Sequence, residues 1–481
     1  MGLSRAQIFE DAFRRHFPYE ATPCQEGFLR AVGAFLAADE GDILVVNGYA
    51  GTGKTSAIAA VVAGLSELSL SCVLLAPTGR SAKVLSSYAG RPASTIHKHI
   101  YRQKSMGADG FGQFTLSPNK ARNTLFVVDE VSLIGVESLQ QGTVAEFGTG
   151  NLLSDLITFV RAGADCRLLL VGDAAQLPPV GLEESPALSP SFMAGYGGVS
   201  FYTLRTVVRQ AEGSGILLNA THLRELLDGM EDPIDRSELG LSVQGFPDVE
   251  RIGGGELLEA LSDAYGRYGE DGVMVLCRSN KRAVRYNGGI RAQVQYREEQ
   301  LVRGDRLMIV KNCYQFTREE GDGMDYIANG DMANLVWIRH YEERYGLHFA
   351  DACLSFPDYG DRELEAKVLL DTLSSESPSL EPVKARALWD GVLADYAHIR
   401  TKKKRYDAVR EDPFFNALQL KYAEAITCHK AQGGQWPCVF IDNPFWQEFL
   451  VRDDIKWLYT AFTRAIDKLY LINFNDCLFN L

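Results

Sequence analysis

The chain has 481 residues, 46% of them hydrophobic and 23% charged, with a net charge of −13; at this length such a balance belongs to a globular protein of two or more domains. No apolar stretch approaches the roughly 20 residues that span a bilayer, so a membrane partner is not expected and a cytoplasmic location is. The acidic balance counts mildly against nucleic acid, since phosphate contacts need Lys and Arg, although a narrow grip can confine its cations to one channel.

Nine cysteines are scattered without a CxxC pair, which argues against a zinc site and a disulfide framework. From the N-terminus, Phe28, Val32, Phe35 and Leu36 make one apolar helical face. Asp42-Ile-Leu-Val-Val-Asn47 then reads as a strand buried on both sides. Directly after it, Gly48-Tyr-Ala50-Gly51-Thr52-Gly53-Lys54-Thr55 matches GxxxxGK[ST], and a helix with apolar Ile58, Val61, Val62 and Leu65 follows. Strand before and helix after are the context of a P-loop. Its backbone amides, with Ser56 at the helix start, would close around phosphate oxygens. Lys54 would reach the β- and γ-phosphates and Thr55 would ligate Mg²⁺, so ATP and Mg²⁺ are the expected cofactors.

Ser71-Cys-Val-Leu-Leu-Ala76 and Thr124-Leu-Phe-Val-Val-Asp129 are further buried strands. Between them, residues 101–122 are polar and Gly-containing, a small hairpin excursion with Phe111 and Phe114 near its middle. Asp129-Glu130 puts two carboxylates at a strand end: Asp129 to hold Mg²⁺, Glu130 to orient and deprotonate the attacking water. Cys166-Arg-Leu-Leu-Leu-Val171 is a fourth strand, ending in Gly172-Asp173-Ala-Ala-Gln176, where an uncharged Gln176 would sense the γ-phosphate. Alternating strands and helices make this half a doubly wound α/β domain.

Residues 182–200, rich in Ser, Pro and Gly, are expected to bridge to a second α/β domain, whose strands are Gly272–Cys277, Pro437–Asp442 and Asp467–Ile472. A larger insertion, 312–420, has a β-rich start and a helical end, with 371–379 as a mobile loop. The basic run Arg400–Arg405 reads best as a solvated helix face.

Taken in order, these motifs resemble helicase superfamily 1, and most closely its RecD-like and Dda-like group. Thr22-Pro-Cys-Gln25 looks like the Q motif, in which Gln25 would read the adenine edge. Ala76-Pro-Thr78-Gly-Arg-Ser-Ala-Lys-Val-Leu85 and Ala93-Ser-Thr95-Ile-His97 resemble strand-binding motifs. Thr206-Val-Val-Arg209-Gln210 is similar to the element that carries a phosphate-contacting arginine, and Asn329-Gly330-Asp331 to a turn of the second domain. Ile426-Thr427-Cys-His429-Lys-Ala-Gln432-Gly433 matches the fifth motif. Trp457-Leu-Tyr-Thr-Ala-Phe-Thr463-Arg464-Ala465 matches the sixth. Gln435 stands where many relatives carry a ribose-contacting Glu.

The resemblance implies two RecA-like P-loop NTPase domains: 1–200, with the 101–122 hairpin, and 201–311 plus 421–481, interrupted by an SH3-like and helical insertion at 312–420. Arg209 and Arg464 would act as arginine fingers, and Gln432 and Gly433 would line the nucleotide. Thr78, Thr95, His97, Thr427 and His429 would grip the backbone of single-stranded or forked DNA, beside stacking aromatics. Phe111 or Phe114 would be a duplex wedge or simply pack their own hairpin. The implied activity is an ATP hydrolase that moves 5′ to 3′ and separates duplex DNA, working as a monomer. An RNA-acting or non-unwinding translocase and, more remotely, a catalytically silent scaffold stay open as alternatives.

Overall fold

The computed structural model describes residues 4–106, 112–136, 146–208, 213–313 and 327–480. Its first sheet has six parallel strands in the order Ala93–Thr95, Ser71–Ala76, Thr124–Val128, Arg167–Gly172, Ile43–Gly48 and Val199–Leu204. The central strands carry unbroken apolar runs, Ile43–Val46, Leu125–Val128 and Leu168–Val171, because the two faces feed separate cores. Leu44, Val46, Leu125, Val127, Leu169 and Val171 join Phe13, Phe28 and Ile58 under the helices of one face. Ile43, Val45, Phe126, Val128, Leu168 and Leu170 pack with Ile96, Leu156 and Phe159 on the other. Each such side chain contributes about 1.5–3 kcal/mol through burial, and the period of two sends neighbours to opposite faces.

The second sheet is also wholly parallel, in the order Val249–Ile252, Ala465–Ile472, Trp436–Asp442, Val273–Cys277 and Ala425–Thr427. Here too Val273 and Val275 face one core and Met274 and Leu276 the other. The architecture is therefore α/β with two doubly wound domains. Among the described residues no helix is long and apolar enough to cross a membrane, and all nine cysteines are free.

Three expectations are corrected. Residues 182–200 do not bridge the two sheets. Val199 opens a strand, Val199–Leu204, that pairs with Ile43–Gly48 at the sheet edge. Its half-exposed residues (Ser200 and Phe201 are exposed) hide it from a search for continuous apolar runs. The insertion begins earlier than residue 312 and ends later than 420. Arg306–Ile309, Met332–Arg344, Leu347–Phe356, Arg362–Leu369 and Leu418–Tyr422 form a closed barrel, and a barrel leaves no edge unpaired. Residues 371–379 are tied down at their start: Asp371 accepts the His348 amide at 2.7 Å, and the Thr372 hydroxyl donates to Leu420 O at 2.8 Å.

The helices Pro382–Asp395 and Lys402–Glu411 sit in the last barrel connection. Lys402, Lys403 and Lys404 are exposed, while Arg405 turns back to donate to the carbonyls of Ala397 and Ile399 at 3.2 and 2.8 Å. Buried Arg306 fixes the barrel to the second sheet through Val273 O, Ala423 O and Glu424 Oε2, each at 3.0 Å. The excursion after Ile100 is a hairpin of Tyr101–Met106 and Gly112–Leu116, against which Glu146–Phe147 lies parallel.

Candidate functional site

Strand Ile43–Gly48 leads through a tight turn into helix Lys54–Glu67. Gly51 and Gly53 both take positive φ, +71° and +77°, a region that side chains disfavour by about 1–2 kcal/mol. Gly53 occupies the N-cap position without a capping side chain, so the first amides of the helix stay available for an anion. The turn is braced from within, by the Thr52 hydroxyl donating to Tyr49 O at 2.7 Å. It is braced from outside by Gln25, whose Nε2 donates to Thr52 O at 2.9 Å. The other end of that amide accepts from Thr22 N at 2.9 Å in a capping box. Gln25 thus buttresses the loop with both ends of its side chain. Lys54 Nζ donates to the carbonyls of Gly48 and Tyr49 and lies 3.8 Å from Asp173 Oδ2. Thr55 is exposed beside it, with Ser56 half-buried.

Asp129 and Glu130 follow strand Thr124–Val128, and Glu130 adopts φ +53°. Asp129 Oδ1 accepts the Glu130 amide at 2.8 Å, and Oδ2 accepts the Tyr88 hydroxyl. Burial raises the pKa of both carboxyls; the Asp129 charge raises Glu130 further, while Arg464 and Lys54 pull it back down. Buried Gln176 has an Oε1 with no partner among the described residues. Among those residues no group of three or more His, Cys, Asp or Glu side chains could hold a metal. A hydroxyl and one carboxylate, Thr55 and Asp129, are a donor set that suits Mg²⁺, which keeps phosphate oxygens and waters as its remaining ligands.

The second sheet closes the cleft. Helix Arg452–Phe462 delivers Arg464, 3% exposed, whose guanidinium donates to Thr460 O, Gly434 O and Thr463 Oγ1 at 3.0–3.1 Å. From the same helix, the Tyr459 hydroxyl donates to Asp173 Oδ2 at 2.6 Å and accepts the Ala50 amide at 2.8 Å. Thr460 Oγ1 accepts the Leu177 amide at 2.8 Å, and Gln432 Nε2 donates to Leu177 O at 2.7 Å. Gln432 therefore holds the loop after Asp173. Gly433, with φ +75°, would place a Cβ 2.0 Å from Ser81 Oγ, so it lies against the helix that follows Thr78. The Gln435 amide reaches Thr463 O at 3.5 Å. Arg209 and Phe111 fall outside the described residues.

The expected strand-gripping residues come from both domains, Thr78, Thr95 and His97 from the first and Thr427 and His429 from the second. Thr78 caps helix Gly79–Ala89, and buried Thr95 caps Ile96–Ile100. Thr427 opens the short helix Cys428–Ala431, its side chain making no cap bond. His97 packs 5.2 Å from Phe147 and 5.8 Å from Tyr101, and burial pulls its pKa down to about 4. Burial lowers His429 too. A cavity of about 360 Å³ opens between helix Gly79–Ala89 and the barrel, lined by Lys83, Ser87, Thr95, Lys98 and Tyr359 among others. Tyr359 donates to Asp331 Oδ2 at 2.8 Å, and burial pushes that carboxyl up to about 6. Phe114 is not at a tip: half-buried, it stacks on Phe147 at 4.4 Å, which makes it a packing residue of the hairpin root.

The residues that sequence reasoning missed are Tyr88, Tyr459 and Tyr359. A lone tyrosine in a helix carries no pattern; only burial beside a carboxylate marks it.

With this geometry, two family models match separate parts of the chain: an AAA domain over residues 29–232 and a UvrD-like helicase C-terminal domain over 422–472. They fall on the two sheets that meet at the cleft, in the order of the motifs. These matches, with the relatives that follow, support a superfamily 1 helicase of RecD- and Dda-like kind. The chain is 38% identical over 138 residues to the ATP-dependent RecD2 DNA helicase of Deinococcus radiodurans, a match covering 29% of the chain and only 16% of that relative. It is 23% identical over 456 residues to the ATP-dependent DNA helicase dda of Enterobacteria phage T4, covering 88% of the chain and 92% of that protein. A structure of Pif1 helicase from Bacteroides with ADP-AlF3 and ssDNA overlays 96% of the chain on 95% of its own, with 14% identity and a TM-score of 0.47.

Proposed function

We propose that this protein hydrolyses ATP to move along single-stranded DNA, in the 5′ to 3′ direction, and separates duplex DNA ahead of it. The observation that carries the reading is a bridge at the P-loop: Tyr459, from the helix that delivers Arg464, donates to Asp173 Oδ2 and accepts the Ala50 amide, and Lys54 lies 3.8 Å from that same carboxylate. A carboxylate poised over a P-loop and faced by an arginine from another domain suits phosphoryl transfer, where positioning and charge neutralisation supply most of the catalysis. Lys54 would exchange its two backbone carbonyls for phosphate oxygens. Glu130 would accept the proton of the attacking water, a role favoured by its raised affinity for protons. Gln176 would donate from its Nε2 to the γ-phosphate, and its unpartnered Oε1 would accept from the attacking water. Mg²⁺, held by Thr55 and Asp129, would offset the charge of the phosphates.

The bonds of Tyr459, Thr460 and Gln432 cross between the two domains, so loss of the γ-phosphate would relax the same surface that aligns the catalytic groups. Thr78, Thr95, Thr427 and His429 lie on both sides of that hinge and would grip the strand alternately. The resemblance to RecD2 and Dda supports the 5′ to 3′ direction.

The test is ATP-dependent separation of a short duplex carrying a 5′ or a 3′ single-stranded tail, with Lys54→Ala as control. Separation from the 5′ tail alone, lost in the variant, is expected. Separation from the 3′ tail alone would refute the direction, and none from either would refute unwinding.

A further inference from the structure

Helix Gly79–Ala89 runs from Thr78, proposed above to grip the strand, to Tyr88, which reaches Asp129, the proposed Mg²⁺ ligand. At its start, Thr78 accepts the Ser81 amide at 3.1 Å and shares a hydrogen bond with the Ser81 hydroxyl at 2.8 Å. At its last turn, the Tyr88 hydroxyl donates to Asp129 Oδ2. The helix is a continuous 11-residue rod with Leu85 fully buried beneath it, so a displacement at one end is carried to the other. Tyr88 is packed against the core of the first sheet. Its hydroxyl cannot leave Asp129 while the helix stays in place without leaving a buried polar group unpaired.

Asp129 has few other donors. Its Oδ1 takes the Glu130 amide at 2.8 Å, a contact within the same turn that follows the chain wherever it goes. Among the described residues, the one hydrogen bond that ties this carboxylate to a different element is that from Tyr88. Groups that hydrogen-bond a metal-ligating carboxylate set its orientation and, with it, the affinity for the metal.

We propose that Tyr88 is a positioning residue that couples the strand grip to the metal site. A strand seated at Thr78 holds helix Gly79–Ala89, the helix holds the Tyr88 hydroxyl on Asp129 Oδ2, and Asp129 is thereby aimed at Mg²⁺. The inference rests on the reading of this site as a strand-dependent ATPase, and it names the residue that makes the dependence. Coupling between two sites is reciprocal. Whatever factor the strand adds to metal affinity, the metal must add to strand affinity, and both factors should vanish together when the hydroxyl is removed.

The test uses the full chain and Tyr88→Phe, which keeps the ring in its pocket and removes only the hydroxyl. Binding of Mn²⁺ in the presence of ADP is followed by the electron paramagnetic resonance of the free ion, with and without a thymidine oligomer. Binding of the oligomer is followed by fluorescence anisotropy, with and without Mn²⁺ and ADP. In the wild type the oligomer should tighten Mn²⁺ by at least about 5-fold, and Mn²⁺ should tighten the oligomer by the same factor. In Tyr88→Phe, Mn²⁺ affinity should fall on the order of 10-fold and both factors should drop to near one, with oligomer binding in the absence of metal unchanged. A purely structural role would lower the melting temperature and leave the two factors equal to the wild-type ones, which would overturn the proposal alone. A wild type that shows no coupling in either direction would overturn the proposal together with the strand-dependent reading beneath it.

Discussion

Removing the Tyr459 hydroxyl tests whether the two α/β domains are held together by a few polar bonds at the ATP cleft. In the wild type that oxygen donates to the buried Asp173 carboxylate at 2.6 Å and accepts the Ala50 amide at 2.8 Å. A hydrogen bond to a charged group contributes about 1.5–3 kcal/mol, and a buried amide left without an acceptor costs about 1–3 kcal/mol. Asp173 would keep the Ala175 amide at 3.0 Å and Lys54 at 3.8 Å, and Ala50 is only half-buried, so water can reach part of the gap. The lower ends of both ranges apply, and Tyr459→Phe should cost about 2–3 kcal/mol. Because both partners belong to the first domain and Tyr459 to the second, the loss should appear as earlier separation of the domains. Urea unfolding followed by circular dichroism and by tryptophan fluorescence (Trp457 is beside Tyr459 in the same helix) should show a lowered midpoint and transitions that no longer coincide. ATP hydrolysis should fall as well, since the same bonds align the P-loop with Arg464. A loss under about 0.5 kcal/mol, the range of an ordinary surface change, with a single coincident transition would refute the reasoning.

Gly53→Ala forces a side chain into φ +77° and within 2.3 Å of Gln25 Nε2; a stability loss of about 1–3 kcal/mol and weaker ADP binding by fluorescence titration are expected. Lys54→Ala should lower ATP hydrolysis by at least about 100-fold while the melting temperature stays within a few degrees of the wild type; retained turnover would remove Lys54 from the reaction. Burial pulls His97 down to about 4, from about 6.5 in the unfolded chain. The unfolded state therefore binds the proton first, and stability is complete above pH about 6.5 and drains as pH falls towards 4, by up to about 3 kcal/mol. His99 and His429, also lowered by burial, steepen the same window. His97→Phe should flatten the fall measured by urea unfolding at pH 4.5, 5.5 and 7, and an unchanged slope would show that His97 is hydrated.

Much of the fold was open to a reader of the chain because it depends on short-range rules. A strand buried on both faces must be apolar at every position, so Ile43–Val46, Leu125–Val128 and Leu168–Val171 declare themselves, and with them a parallel sheet. The P-loop is a local object: its glycines, its lysine and the helix after it are consecutive. Edge strands follow no such rule. Val199–Leu204 faces solvent on one side and reads as linker, and Ala93–Thr95 and Ala425–Thr427 are too short to show a period. Closure of the barrel from Arg306 to Tyr422 depends on pairing between Leu307 and Tyr422, more than a hundred residues apart, and no local pattern encodes it.

The same division runs through the site. Sequence by itself pointed to the proposed nucleotide chemistry of Lys54, Thr55, Asp129 and Glu130, because phosphate and Mg²⁺ demand particular groups next to particular backbone turns. The tertiary structure alone decided how those groups are held. Tyr88 on Asp129, Tyr459 between Asp173 and Ala50, and Gln25 beneath Thr52 are contacts between segments far apart in the chain. It also set Gln432 against Leu177, Gly433 against Ser81 and Phe114 against Phe147. Hydrogen bonds of that kind are chosen by which side chains happen to be buried together, and burial is a property of the packed domains.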